Sequence, residues 1–417
     1  MSAPAEAGPR LGEGERAGAG GGAASVGDLP GARAPSDGHA CGPCLRRTWL
    51  LGRLAGHIEV ARRDVPAQAG GRLRELLALP DAELLHALAG PDRAAIEEER
   101  AALDLGALRA ACDRAGLSAI CRHDPAYPAR LRDLDDAPAV VHNRSAAAGR
   151  LSALAGGSLR AGPRAVAVVG TRRASADALE VARSLGRGLA AAGVTVVSGM
   201  ALGVDSAAHA GALEAGGRTV AVLAGGADVP YPASKRALHA RVAELGCVVS
   251  ELPPGLGPHR WAFPARNRLI AALAHMTVVV EAAERSGSLI TAEFAADLGR
   301  EVGAVPGPVT TWRSAGTNAL LRDGATLVRD ARDVLDAVLG VEDGRPAAQS
   351  LAASARPPLE PRLQRLLDAV DGGRDTVAAL ARHPAEVAEI VAGLTELELL
   401  GALRRVAGGR YVRRAWP

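Results

Sequence analysis

Apolar positions recur at helical spacing over the first third of the chain and then change period. Residues 1–38 are Gly, Ala, Pro and Ser with scattered charges and no periodicity, which predicts a disordered tail. From Cys41 to about Asn143 the spacing is helical. Trp49, Leu50, Leu54 and Ile58 form one set, Leu73, Leu76, Leu77 and Leu79 a second, and Leu84, Leu85 and Leu88 a third. Pro80 followed by Asp81 reads as a helix restart with an acidic N-cap. A small all-helical domain over 39–145 is predicted. From Arg164 short β-branched runs alternate with Ala/Leu-rich helical stretches. The runs are Ala165–Val169, Val194–Val197, Thr219–Leu223, Cys247–Ser250, Thr277–Val280, Glu301–Val305 and Thr326–Val328. Between them lie Asp177–Ala192, Asp205–Ala215, Ser234–Leu245, Asn267–Ala274 and Leu289–Leu298. Continuous apolar strands separated by helices predict an α/β, doubly wound parallel sheet within 146–340. Residues 341–358 read as a linker. Residues 359–417 read as helix, helix, helix and short hairpin, the outline of a winged helix.

Composition narrows the function classes. The chain has 417 residues and a formal net charge of +3. That balance excludes a polybasic DNA-coating protein but says nothing about local patches. Lys235 is the sole lysine, so Schiff-base catalysis has one candidate, and the arginine excess points to GC-rich coding. Aromatics are only 2%, which makes each local cluster of them informative. Five scattered cysteines form no disulfide framework and fit a reduced, cytoplasmic protein. No basic-then-apolar secretory start and no uncharged run of membrane-spanning length occurs, so no membrane partner is expected.

Ligands on doubly wound sheets bind beyond the carboxyl ends of the strands, so the residues after each strand carry the chemistry. Gly170-Thr171-Arg172-Arg173 precedes a helix, and a tight turn, free amides and two guanidiniums suit a phosphate. This run is neither the dinucleotide fingerprint nor a P-loop. A plain turn with solvated arginines is the simpler alternative. After the second strand, Asp205 and His209 stand four apart, as an acid–base pair or as an N-cap and a helix-surface His. Between Glu251 and Glu281 no acid occurs, and Arg260, Arg266 and Arg268 interleave with Trp261 and Phe263. Such clusters stack on and neutralise single-stranded nucleic acid, unless the two aromatics anchor a loop to the core. Ser286-Gly287-Ser288 opens a second helix as a second anion site, and two such sites suit a ligand with more than one phosphate. Cys41-Gly-Pro-Cys44, near His39, has metal-knuckle spacing. No second Cys pair completes it, since Cys112 and Cys121 are not a C-x-x-C, so no metal or cofactor is assigned. Arg404, Arg405, Arg410, Arg413 and Arg414 follow Glu398 with no further acid, as a DNA-touching wing or a solvated tail.

These motifs in this order resemble the DNA-processing protein DprA (Smf) family. The resemblance rests on Gly170-Thr-Arg-Arg-Ala-Ser175, Ser198-Gly-Met-Ala-Leu-Gly-Val-Asp-Ser-Ala-Ala-His209 and Tyr231-Pro232. Phe263-Pro-Ala-Arg-Asn-Arg268, Glu284-Arg-Ser-Gly-Ser-Leu-Ile-Thr291, Val305-Pro-Gly307 and Arg322-Asp-Gly-Ala325 extend it, with Tyr127-Pro-Ala-Arg-Leu131 upstream. It covers roughly residues 120–340. The resemblance implies an extended Rossmann-like domain between a small SAM/HhH-like helical domain and a winged-helix-like domain. It implies sequence-independent binding of single-stranded DNA, loading of RecA in natural transformation, a homodimer and no substrate turnover. Dimerisation also draws on apolar Leu320, Leu321 and Leu327 near the sheet's far edge. By motif, Gly170, Thr171, Arg172, Ser198, Gly199, Lys235, Arg266, Asn267, Arg268, Ser286 and Gly287 should contact the DNA, with Asp205 and His209 as scaffold. Leu202 stands where the family has an arginine. The alternative is a nucleotide-processing enzyme similar to phosphoribohydrolases of the same superfamily. Their Pro-Gly-Gly-x-Gly-Thr-x-x-Glu motif is replaced here by Glu284-Arg-Ser-Gly-Ser-Leu-Ile-Thr-Ala-Glu293.

Overall fold

The computed structural model describes residues 40–63, 70–146, 151, 164–340 and 359–413. The expected tail (1–38) and linker (341–358) lie outside the described residues. The central feature is a nine-stranded sheet in the order β1-β2-β6-β5-β4-β3-β7-β8-β9. Its parallel part comprises β3 (Ala165–Val169), β4 (Thr195–Ser198), β5 (Thr219–Val222), β6 (Cys247–Ser250), β7 (Met276–Val279), β8 (Glu301–Ala304) and β9 (Thr326–Leu327). These are the seven runs expected from sequence, shifted by at most a residue or two. Their unbroken apolar character has a direct cause. Ala165, Ala167 and Val169 of β3 pack into the core on one face, while Val166 and Val168 pack into the core on the other. Burial on both faces removes the polar half of a strand's alternation.

The remaining two strands correct the expected all-helical N-terminal domain. Helices α1 (Gly42–Arg53), α2 (Ala55–Arg63), α3 (Gly70–Ala78), α4 (Asp81–Leu88), α5 (Arg93–Ala101) and α6 (Leu105–Arg114) do form from 42 to 114. Residues 118–144 then contribute β1 (Ser118–Cys121) and β2 (Val140–Arg144) to the main sheet. β1 pairs antiparallel with β2, and β2 antiparallel with β6. A four-residue strand and one that buries His142 and Asn143 carry too little β pattern to stand out in sequence.

Two helices decide where a ligand fits. α7 (Ala176–Ala191) follows β3 and packs on one face of the sheet, with Ala178, Ala182 and Leu185 in that core. α11 (Gly287–Asp297) follows β7 and packs on the opposite face, with Ala292 in the other core. Between these in sequence come α8 (Val204–Glu214), α9 (Arg236–Leu245) and α10 (Ala262–Leu273). α10 begins five residues before the helix expected there. Pro264 sits in its first turn, where no intrahelical N–H is required, so the proline opens the helix instead of preceding it. Beyond the sheet, α12 (Ala315–Arg322) and α13 (Ala331–Leu339) complete this unit. Residues 359–413 form α14 (Pro361–Asp371), α15 (Val377–Leu380), α16 (Val387–Leu399) and the antiparallel hairpin β10 (Leu403–Val406) and β11 (Arg410–Arg413). That is the expected winged-helix order. Among the described residues no helix is long and apolar enough to cross a membrane.

Candidate nucleic-acid interface

From β3 the chain runs outward through β4, β5 and β6, then returns to lay β7 on the other flank of β3. The connections leaving β3 and β7 therefore diverge to opposite faces and leave a crevice beyond the strand ends, as at any topological switch point. A cavity of about 1030 Å³ occupies that place. The loop Gly170–Arg173, Ser286–Ser288, and Phe263, Arg266 and Asn267 of α10 form its polar side, and Ile58, Leu73 and Leu76 of the N-terminal helices close it.

Both helix starts are tied to this crevice. Thr171 N–H donates to the Glu281 carbonyl (2.8 Å), and Ser175 N–H donates to the Glu281 carboxylate (2.9 Å). The Ser175 hydroxyl accepts from Ala178 N–H (3.1 Å) and caps α7. Opposite it, Ser286 caps α11 through Ser288 N–H (3.4 Å), and the Asn267 amide donates to the Gly287 carbonyl (3.1 Å). The start of α11 and the loop leading into α7 thus line one crevice, while the Glu281 carboxylate holds the Ser175 amide at the start of α7 itself. A Cβ on Gly170 would lie 2.6 Å from Val204 Cγ2, so the first loop needs glycine to lie this close to α8. A Cβ on Gly287 would meet nothing within 4 Å, so its bare face opens onto the cavity.

The exposed Arg172 guanidinium lies 4.7 Å from the Phe263 ring centroid, and Phe263 lies 5.6 Å from Tyr231. Of the arginine–aromatic cluster expected between Glu251 and Glu281, only Phe263 enters this stack, and its arginine comes from the first loop. Trp261 is fully buried, and its indole donates to the Ala55 carbonyl (3.0 Å). It anchors the N-terminal helices instead of offering a stacking face. Arg268 is 1% exposed and ion-paired with Asp136 and Glu251, each at 2.7 Å, so it lies in the core and not in the cavity. The acid-free interval concealed this, because one partner closes the interval and the other lies far upstream. Arg266 does line the cavity, but it is 5% exposed and works as a staple. Its guanidinium donates to the Gly199 carbonyl (2.6 Å) and to the Val222 carbonyl, joining the ends of β4 and β5. Burial pushes its pKa down to about 10. Gly199 makes room for it, since a Cβ there would stand 2.2 Å from Arg266 Nη1. Ser198 is buried in the sheet, donating to the Val168 carbonyl (2.7 Å). Lys235 is half-buried just before α9 and is not among the residues lining the cavity.

Asp205 and His209 have separate partners. The Asp205 carboxylate accepts from the amides of Gly199 (3.2 Å) and Ala201 (3.4 Å) and shapes the loop after β4. Burial pushes its pKa up, against the opposing pull of Arg266. His209 is fully buried, with Nδ1 2.7 Å from Thr219 Oγ1, and burial holds its pKa down at about 3. The pair is neither a reacting dyad nor a helix-surface feature. Leu202, 43% exposed, lines a small cavity beside Arg172, Tyr231 and Arg266.

One feature of the site escaped sequence reasoning. Trp312 is 69% exposed, and Arg313 sits 5.3 Å from its ring centroid. Arg313 donates to the Arg173 carbonyl (2.7 Å), which joins this arginine–tryptophan pair to the first phosphate loop. A Trp-Arg pair in a chain so poor in aromatics was the available signal. Three arginines of the basic C-terminal run are ion-paired, and Arg414 lies outside the described residues. Arg410 pairs with Asp375 (2.5 Å), Arg404 with Asp177 (3.2 Å), and Arg413 with Asp371.

Residues 118–339 match the sequence model of a family described as DNA recombination-mediator protein A. Over 383 residues the chain is 41% identical to a Mycobacterium tuberculosis protein named putative DNA processing protein DprA, covering 88% of each chain. It is 32% identical over 321 residues to Protein Smf of Synechocystis sp., covering 70% of this chain and 79% of that one. The X-ray structure of DNA processing protein A from Streptococcus pneumoniae superposes with a TM-score of 0.54 at 31% identity, over 70% of this chain and 95% of that one. With the match spanning the sheet and its switch-point loops, the chain belongs to the DprA (Smf) family of DNA recombination mediators.

Proposed function

We propose that the chain binds single-stranded DNA without sequence preference along the switch-point crevice, and that it acts by binding and not by turnover. The observation that carries this reading is one cavity lined by the Gly170–Arg173 loop and the capped start of α11 at Ser286, with exposed Arg172 over Phe263. Helix starts and guanidiniums take up backbone phosphates, while Phe263, Tyr231 and exposed Trp312 offer faces to bases. Neither contact reads sequence. Gly170, Thr171, Arg172, Asn267, Ser286 and Gly287 form the phosphate track. Gly199 and Arg266 shape it from below.

Family membership supports the wider role: protecting incoming strands and delivering them to RecA in the cytoplasm as a homodimer. Leu327, exposed on the edge strand β9, supports self-association at that edge. Light scattering should then give a dimer at micromolar concentration, and a monomer throughout would contradict it. Oligo-dT binding tests the site. Arg172→Ala and Trp312→Ala should each weaken binding by about 1–3 kcal/mol, with unfolding midpoints unchanged because both side chains are exposed. Normal binding by both variants would remove the site from this place. Base release from nucleoside monophosphates should be absent, since Asp205 and His209 are engaged in the scaffold. Clear turnover would favour the enzyme instead.

A further inference from the structure

Far from the crevice, four ligand-bearing side chains converge at the junction of the N-terminal helices and the sheet edge. Cys41 is the N-cap of α1 and Cys44 lies in its first turn. Cys121 ends β1, and His123 follows in the next turn. The two Cys41–Cys44 donors are thus separated by some 80 residues of chain from Cys121 and His123, yet all four donor atoms lie within 4.8 Å of one another. His123 Nδ1 is 3.5 Å from Cys41 Sγ and 3.4 Å from Cys44 Sγ. Zinc–sulfur bonds of ~2.3 Å and a zinc–nitrogen bond of ~2.0–2.1 Å around a tetrahedral ion place sulfur and nitrogen ~3.5–3.6 Å apart. The observed spacings are therefore close to the edges of such a tetrahedron. The three sulfurs are buried in an otherwise apolar cluster with Leu45, Leu117, Ala119 and Val140, and only His123 is half-buried. Cys112, buried in the same cluster, is not one of the four. All five cysteines are free thiols.

We propose that Cys41, Cys44, Cys121 and His123 form a structural zinc site that fastens α1 to β1. Three thiolates and one imidazole in tetrahedral disposition select zinc over hard, oxygen-seeking ions. A full set of four protein ligands makes the site structural, because no position is left for water or substrate. Each thiol loses its proton on binding, so one zinc displaces three protons and the site carries a single negative charge. The sequence suggested a knuckle at Cys41 and Cys44 and no completing pair. The structure supplies that pair from a Cys-x-His turn.

Elemental analysis of the full chain, purified without chelators, tests the proposal. About one zinc per chain is expected. Exchange for Co(II) should give sulfur-to-cobalt charge-transfer absorption and the visible bands of a tetrahedral ion. Cys121→Ser should lose the metal, whereas His123→Cys, which leaves four donors, should keep it. Removing zinc from the wild-type protein should lower its melting temperature while leaving oligo-dT binding measurable below that temperature. Far less than one zinc per chain with no cobalt spectrum would overturn the site. So would a Cys41–Cys44 disulfide in anaerobically purified protein.

Discussion

Arg172, Arg266 and Arg268 fall within a hundred residues of one another and do three different jobs. Arg172 is exposed over Phe263, Arg266 holds two strand-end carbonyls, and Arg268 is sealed between two carboxylates. Sequence could rank them only by company, and company misled at Arg268, whose partners Asp136 and Glu251 lie outside the acid-free stretch. Arg268→Met should cost about 3–5 kcal/mol in urea unfolding, because it leaves two buried carboxylates uncompensated. An unchanged midpoint with weakened DNA binding would return Arg268 to the interface. The glycines were easier to read: Gly170 and Gly287 stand at strand-to-helix turns, where small residues mark close approach. Gly287→Ala isolates the ligand, since its new methyl group touches nothing in the protein. Its stability should stay within about 0.5 kcal/mol of wild type. Its oligo-dT affinity should fall several-fold, and equal affinity would show that DNA does not approach this helix start.

Among the elements, the seven parallel strands were legible because burial on both faces leaves an unmistakable apolar run. β1 and β2 were not, because β2 buries His142 and Asn143 and looks polar. The same burial has a measurable consequence. His142 on β2 and His209 on α8 are held neutral, with pKa values pushed down to about 4 and about 3 by burial. In the unfolded chain both titrate near ~6.5. Above that pH both states are neutral and the histidines contribute no pH dependence. Below it the unfolded chain takes up protons that the native state refuses, so stability falls as pH drops through 6.5 towards the folded values. Between pH 7 and pH 5.5 the loss should reach about 2–3 kcal/mol for the two together. Urea midpoints at the two pH values check this, and equal midpoints would mean that these histidines protonate in the native state.

For the molecule as a whole, the N-terminal helices and the sheet enclose the crevice, and the winged-helix-like unit touches the start of α7 through Arg404 and Asp177. The N-terminal helices dock through Trp261 and close the apolar side of the crevice, and the Gly170–Arg173 loop and the start of α11 form its polar side. In the winged-helix-like unit Arg362, Arg404, Arg410 and Arg413 are ion-paired, whereas Arg172 is exposed at the mouth of the crevice. Fold class and the candidate crevice were readable from the alternation of strands with helices and from turn chemistry. The division of labour among side chains was not, because it depends on partners brought together from distant parts of the chain. Binding of fluorescent oligo-dT by wild type, Arg172→Ala and Trp312→Ala over a salt series tests the central claim most directly. The account predicts affinity that falls steeply with salt. It predicts a slope reduced by about one in Arg172→Ala, and a uniformly weaker affinity with unchanged slope in Trp312→Ala. Salt-independent binding, or wild-type slopes and affinities in both variants, would contradict it.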